Sequence, residues 1–194
     1  MEARVEVRDK LMSRHLDDIF DKMRAPLQDP ASLLSYKFVK STEANLLLNE
    51  NASKHVLQLA FTQYRVQPAD FVFVPIFDED IRSWSLVVYV SGDGFYLFDS
   101  NKDQKEEKIL LACRQLSTAF ELKSAAVYRK PSPVHTNASE SGVFVIETVK
   151  YVIDHCLAKK KSLNLVIPRP TVLSCDVVQR KWSEAKKVFE YPAL

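Results

Sequence analysis

Residues 71–99 read FVFVPIFDEDIRSWSLVVYVSGDGFYLFD, and this stretch decides the fold class. It contains three short runs rich in β-branched and aromatic residues, at 71–76, 84–90 and 95–99, which are typical of buried strands. Between the second and third runs lies Ser91-Gly92-Asp93-Gly94, where glycine permits the positive φ angles of a tight hairpin turn. The stretch therefore predicts an antiparallel sheet in the middle of the chain.

Helical patterns precede these strands. Apolar residues recur at helical spacing over residues 3–24 and 43–64, and the polar stretch Asn49–Ser53 is expected to interrupt the second segment. The residues of the second segment that we expect to face inward are Leu46, Leu47, Leu48, Val56, Leu57, Leu59 and Ala60.

Helices and short strands are also expected after residue 99. The pattern predicts a helix over about 104–121 capped by Asp103, a strand over Ser124–Tyr128, an apolar central helix over 141–158, a strand over Leu163–Ile167 and a last helix from Ser174 to about Phe189. In the first of these helices the expected inward set is Ile109, Leu110, Cys113, Leu116 and Phe120. The whole order indicates a single α+β domain over residues 1–194, with a mostly antiparallel central sheet flanked by helices.

Composition limits the class of protein. The 194 residues are 46% hydrophobic and 27% charged, which is ordinary for a globular protein and excludes a largely disordered chain. No apolar run approaches the roughly 18–20 residues that a membrane-spanning helix needs. A net charge of +2 is too balanced to imply a nucleic-acid partner by itself. The Lys159-Lys160-Lys161 cluster is interpreted as a solvated helix face, with a nucleic-acid-associated domain as the less favoured alternative.

The cysteines and the N-terminus indicate the compartment. Cys113, Cys156 and Cys175 are far apart and lack CxxC spacing, so neither a disulfide framework nor a zinc site is expected, and no cofactor is implied. The first residues, MEARVEVRDKLMSRH, are charged throughout, which argues against a secretory signal. We therefore expect an intracellular protein of the nucleus or cytoplasm.

Three separated motifs resemble those of one enzyme family. They are Asp70–Ile76 followed by Trp84–Val88, then Tyr96-Leu97-Phe98-Asp99-Ser100, then Asn137–Val145. In this order and spacing they resemble the Ulp-type (sentrin-specific) SUMO cysteine proteases, the C48 peptidases. The resemblance covers roughly residues 70–155, whereas the helical region 1–65 lacks the usual N-terminal motifs. It implies a papain-like fold and an activity toward SUMO-like modifiers.

The resemblance also assigns catalytic positions, and two of them are changed. The nucleophilic cysteine position is Ser141, the general-base histidine position is Ser83, and the orienting aspartate matches Asp99. The glutamine that would supply an oxyanion-hole donor corresponds to His135. A serine hydroxyl needs a base to take its proton, and Ser83 cannot act as one at neutral pH. The changed site therefore predicts a catalytically inactive pseudoprotease that acts by binding another protein, with a SUMO-like modifier as a candidate partner.

Alternatives remain at this point. The chain is either natural or an engineered inactive form of a SUMO protease, and the double change favours the natural one. A Ser141–His135 dyad would make it an active hydrolase, whereas the simpler interpretation places His135 in a polar surface loop. Trp84 either keeps the family's place beside the tunnel for the Gly-Gly tail of the substrate or is an ordinary packing residue.

Overall fold

Helices alternate with strands along the chain, which the computed structural model describes over residues 13–24, 35–65, 71–100, 106–130 and 140–159. The strands are β1 (Tyr36–Phe38), β2 (Phe71–Asp78), β3 (Ser83–Val90), β4 (Gly94–Asp99) and β5 (Ala126–Lys130). The helices are α1 (Ser13–Arg24), α2 (Ser41–Ala44) with a 3₁₀ turn at Asn45–Leu48, α3 (Lys54–Arg65), α4 (Glu106–Ala119) and α5 (Ser141–Lys159). The expectations for residues 3–12, Asp103, 163–167 and 174–189 fall outside the described residues.

The strands form one sheet in the order β1-β2-β3-β4-β5. The expected antiparallel meander forms its centre, since β2 pairs with β3 and β3 with β4 in antiparallel register. The two outer strands pair in parallel, β1 with β2 and β5 with β4. Parallel neighbours need a crossover connection, and the helices between β1 and β2 and between β4 and β5 provide it. The α+β fold class is therefore confirmed, with a mixed sheet.

Each face of the sheet carries its own apolar core. Strand residues point alternately to the two faces, so Leu86 and Val88 lie on one face and Val87 lies on the other. On the first face the sheet packs against α1 and α5, and on the second it packs against α3 and α4. None of the described helices is both long enough and apolar enough to cross a bilayer.

Helix α3 faces the core through a different set of residues from the one expected. Val56 and Leu59, both expected inward, are exposed, and Leu59 keeps 72% of its surface. Leu57 is buried as expected, together with Phe61 and Tyr64, because the i, i+4, i+7 spacing of these three places them on one stripe. The apolar residues of this helix occupy more than one stripe, so spacing alone did not identify which of them face the core. The interruption at Asn49–Ser53 is present as expected.

The main departures of the strands from expectation are at β1, β2 and β5. Strand β2 extends to Asp78, two residues beyond the expected run. Strand β1 was not expected, because three residues are too few to show an alternating pattern. Strand β5 begins at Ala126 and ends at Lys130, two residues later than expected. The hairpin turn agrees with expectation: Gly92 has φ 78°, and a Cβ at Gly94 would lie 2.4 Å from the Ala126 carbonyl oxygen.

Candidate active site

Helix α5 begins inside the protein. The first six residues, Ser141–Ile146, are all buried, so the helix is apolar around its whole circumference at this end. A helix that is apolar on every side is stable in a globular protein only when it is surrounded by other elements. The small residues Ser141 and Gly142 allow the helix end to approach the sheet closely. The sequence therefore places the N-terminus of α5 against the ends of the central strands.

The Ser141 hydroxyl joins this helix to strand β3. The backbone N–H of Trp84 donates a hydrogen bond to Ser141 Oγ at 2.9 Å, and this contact is buried. Ser141 itself is fully buried. A backbone amide buried without an acceptor is costly, so the serine oxygen satisfies a requirement of the sheet end. Ser141 therefore has a structural contact at the position where the resemblance places a nucleophile.

Ser83 lies directly before the peptide nitrogen that contacts Ser141. It is the first residue of β3 and is fully buried, and its Oγ has no hydrogen-bond partner. Its cross-strand neighbour is Asp78, so the two Cβ atoms lie about 4.5–5.5 Å apart on one face. A hydroxyl at this position has no measurable basicity at neutral pH and cannot take a proton from Ser141.

Asp99 ends strand β4 on the same face of the sheet. Its Cα is paired with that of Ser85, which is two positions from Ser83 along β3. Because alternate residues of a strand share a face, Ser83, Ser85 and Asp99 all lie on the α4 side. The structure thus brings the Ser83, Asp99 and Ser141 positions to the same end of the sheet. His135 lies outside the described residues.

A partly buried ion pair adjoins the Ser83 position, and sequence reasoning missed it. Asp78 is buried, and its Oδ1 lies 2.5 Å from Lys108 Nζ on α4. Lys108 also contacts Asp80 Oδ2 at 2.6 Å, and the Asp80 amide donates to Asp78 Oδ1 at 2.9 Å. Its hydrogen bonds to Asp78 and then to Asp80 raise the pKa of Lys108. The sequence has three consecutive acidic residues at 78–80, but it does not indicate which cation pairs with them, because Lys108 is distant in sequence.

The Trp84 side chain is a core residue in this conformation. It is 3% exposed and packs against Phe77 with ring centroids 4.8 Å apart. Beside it lies a cavity of about 10 Å³, which is enough for one water molecule but not for a peptide. The rest of this cavity is lined by Leu86, Phe98, Ser100, Phe144, Val145 and Thr148. The packing alternative for Trp84 fits these contacts, and a peptide could reach the ring only after the cavity widens.

The described side chains place no imidazole at Ser141. His55 is the one histidine among them, and it is exposed on α3. His155 lies on α5 fourteen residues after Ser141, so its backbone is about 21 Å further along the helix axis. Cys113 on α4 is buried, and desolvation raises the pKa of its thiol to about 12. Within the described ranges, no cluster of three or more acidic, histidine or cysteine residues forms a metal site.

Comparison with known proteins adds information on the fold. No family model and no curated protein matches this sequence. Among solved structures, the Xanthomonas campestris effector XopD bound to ubiquitin matches with a TM-score of 0.67 and 16% identity, covering 95% of this chain and 96% of that one. The C-terminal protease domain of yeast Ulp1 in complex with Smt3, the yeast ortholog of SUMO, matches with a TM-score of 0.68 and 11% identity. That alignment covers 95% of this chain and 79% of the Ulp1 domain.

A further Ulp1 structure, in which the catalytic cysteine is oxidised to a sulfinic acid, gives a TM-score of 0.69 at 12% identity, with 95% of this chain and 80% of that chain covered. At identities this low, similarity of backbone does not extend to chemistry. The mixed sheet, the buried N-terminus of α5 and these matches agree on architecture. The chain therefore has the fold of the Ulp-type SUMO proteases.

Proposed function

We propose that this chain is a catalytically inactive Ulp-like domain that acts by binding a ubiquitin-like modifier. One observation carries the proposal. The Oγ atom at the nucleophile position is fully buried and accepts a hydrogen bond from the Trp84 amide, and a second serine stands at the base position. The proposal treats residues 1–194 as one domain.

Two separate requirements of hydrolysis are unmet. The attacking atom needs a base that removes its proton, and Ser83 supplies only a hydroxyl. The attacking atom also needs access to a carbonyl carbon, and Ser141 Oγ is enclosed between α5 and β3. In a triad enzyme, loss of the nucleophile or the base alone costs about 10⁶ in kcat. Asp99 keeps its place beside β3, but none of the described residues supplies an imidazole there for it to orient.

Binding of a modifier is supported by the fold neighbours. XopD is bound to ubiquitin, and the Ulp1 domain is in complex with Smt3. The two serines replace side chains at the end of β3 and the start of α5 alone, so the change at these two positions leaves the rest of the surface of the fold in place for binding. Because the cavity beside Trp84 is too small for a peptide, we expect recognition through the body of the modifier rather than through its C-terminal tail.

A turnover assay tests the inactive half of the proposal. The substrates are ubiquitin and SUMO carrying a fluorogenic amide at the C-terminus, and the variants are Ser141→Ala and His135→Ala. We expect no release of fluorophore above the buffer rate for any form. Release by the wild-type chain that both substitutions abolish would establish the alternative, an active Ser141–His135 hydrolase.

Calorimetric titration with ubiquitin and SUMO tests the binding half. Each modifier is used intact and as a truncated form that lacks the last two glycines. Equal affinity for both forms supports binding through the body of the modifier, whereas binding that needs the two glycines would show that a tail-binding cleft is open. Absence of binding to either modifier would exclude this partner class.

The double variant Ser83→His, Ser141→Cys provides an independent test of the site. Cleavage of either substrate by this variant would show that Asp99 and the cleft are still arranged for catalysis and that only the two side chains were lost. Continued inactivity, with wild-type binding retained, would show that the cleft itself has closed around Trp84.

A further inference from the structure

A single cation ties the turn between β2 and β3 to the neighbouring helix. The turn spans residues 79–82, and the strands that it joins meet it at the paired residues Asp78 and Ser83. Lys108 Nζ on α4 lies 2.5 Å from a carboxylate oxygen of Asp78 and 2.6 Å from one of Asp80. One ammonium group therefore joins the end of β2 and the turn itself to α4.

Two features of the same turn oppose the conformation that these ion pairs hold. Arg82 has a φ of 54°, which lies in the left-handed region that residues with a Cβ seldom adopt. Ser83, the next residue, is fully buried, and its Oγ has no hydrogen-bond partner. A hydroxyl buried in this way loses its hydrogen bonds to water without replacement. Such local costs persist only where other contacts offset them, and the ion pairs of Lys108 act at this turn.

The turn is connected to the cavity beside Trp84 through two pairs of strand residues. Asp78 pairs with Ser83, and Phe77 pairs with Trp84. Because successive strand residues point to opposite faces, the first pair faces α4 and the second faces α5. The Trp84 ring packs against Phe77 and lines the cavity of about 10 Å³, while its amide donates to Ser141 Oγ. A movement of the turn that separates Phe77 from Trp84 therefore widens this cavity.

The ion pairs can be weakened from the surface of the protein. The Lys108 side chain is 33% exposed and that of Asp80 is 81% exposed, whereas that of Asp78 is 4% exposed. Salt screens the attraction between exposed charges. An anionic group of a bound protein can also compete for the same ammonium group. The strength of the contact with α4 therefore depends on what surrounds Lys108.

We propose that the ion pairs of Lys108 with Asp78 and Asp80 form a latch that keeps the cavity beside Trp84 too small for a peptide. Release of the latch lets the turn move and the cavity widen. This regulation rests on the proposed function, because it concerns the cleft that the tail of a modifier would enter. The competing explanation is an ion pair that adds to the stability of the whole fold and has no local effect on Trp84.

Amide hydrogen exchange of the protein alone distinguishes these explanations. It compares the amide of Trp84, next to the turn, with that of Val88, in the middle of the same strand. In Lys108→Met we expect exchange at Trp84 to accelerate by about fivefold to thirtyfold, as for the loss of a partly buried ion pair, and exchange at Val88 to accelerate less. Lys150→Met is the matched control, because it removes a lysine that pairs with Glu147 on α5. It should leave both amides unchanged.

Two further variants act on the same turn. Asp80→Asn weakens the latch but leaves the buried Asp78 paired with Lys108, so it should accelerate exchange at Trp84 in a protein that keeps its core contacts. Ser83→Ala removes the unpaired hydroxyl, which is one of the costs that release relieves. Combined with Lys108→Met, it should restore part of the protection of the Trp84 amide.

Widening of the cavity is measured by acrylamide quenching of Trp84 fluorescence. Trp182, the other tryptophan of the sequence, is replaced by phenylalanine in every form so that the signal belongs to Trp84. We expect quenching to increase in Lys108→Met and in Asp80→Asn, and to increase with salt when the latch is intact.

Three results would overturn the proposal. The first is equal acceleration at Trp84 and Val88 in Lys108→Met, since it would reflect a loss of global stability alone. The second is quenching that neither latch variant changes, and the third is a Ser83→Ala substitution that restores no protection to Lys108→Met. These measurements need no modifier, so their failure is distinct from a failure of modifier binding.

Discussion

Replacing Ser141 by alanine removes the hydroxyl oxygen that accepts a hydrogen bond from the Trp84 amide. The buried Trp84 N–H then loses this acceptor. A buried backbone group that loses its partner costs about 1–3 kcal/mol. For a domain of 150–250 residues, each kcal/mol corresponds to a fall in Tm of about 2–4 °C. We therefore expect Ser141→Ala to be clearly less stable than the wild type, although the residue stands where an active enzyme would keep a group dispensable for folding.

Ser83→Ala is the matched control, because it removes a buried hydroxyl of the same size from the residue directly before the Trp84 amide. The Ser83 Oγ has no hydrogen-bond partner, so its removal relieves a desolvation cost instead of creating one. We expect the free energy of unfolding of Ser83→Ala to lie within about 1 kcal/mol of the wild type, on the stabilising side. Urea unfolding followed by circular dichroism measures both variants.

The contrast between the two serines is the informative quantity. Equal destabilisation by both substitutions would show that burial of any serine here matters and that the contact with Trp84 does not. An unchanged stability of Ser141→Ala would refute the reasoning outright, and it would return Ser141 to consideration as a free nucleophile.

Three further outcomes follow from the same contacts. Lys108→Met should lower the free energy of unfolding by about 1–2 kcal/mol, between the values for exposed and buried ion pairs, because it removes the cation that pairs with the Asp78 carboxylate. The pKa of Lys108 is raised in the folded protein. The difference in unfolding free energy between wild type and variant should therefore persist through neutral pH and narrow as the pH rises above about 10.5. Gly94→Ala should destabilise more than Gly92→Ala in thermal melts, because only the former meets a backbone oxygen, at 2.4 Å, and a smaller effect at Gly94 would contradict the turn geometry. Cys113 should resist alkylation at pH 8 in the folded protein, since its pKa is about 12, and mass mapping of rapid labelling there would disprove its burial.

The central strands and α5 were predictable because their signals are local and strong. Continuous β-branched and aromatic runs identify strands that are buried on both faces, and the observed β2 and β3 are buried along nearly their whole length. The apolar segment from Ser141 onward predicts a central helix for the same reason. The Ser83, Asp99 and Ser141 positions could be assigned only through motif order, since no spacing rule relates residues on three separate elements.

The features that escaped prediction depend on tertiary contacts. The pairing of Asp78 with Lys108 joins residues thirty positions apart, and the alternation of charge along the chain does not specify it. Leu110 on α4 has the same apolar pattern around it as its buried neighbours, yet it is exposed. It lines the open space between α4 and β5, and no other part of the described structure covers that space. Likewise, the inward face of α3 was ambiguous because apolar residues occur on more than one of its sides.

The contact between Ser141 and Trp84 also gives a structural reason for a serine at this position. A thiol sulfur is a weak hydrogen-bond acceptor, whereas a hydroxyl oxygen is a good one, so serine satisfies the Trp84 amide better than cysteine does. Reactive sites commonly carry a stability cost that is removed when function no longer requires them. Under the proposed function, a serine in place of cysteine at this position both removes the nucleophile and strengthens the junction between α5 and β3. Ser141→Cys should therefore be less stable than the wild type, and a more stable Cys variant would contradict this explanation.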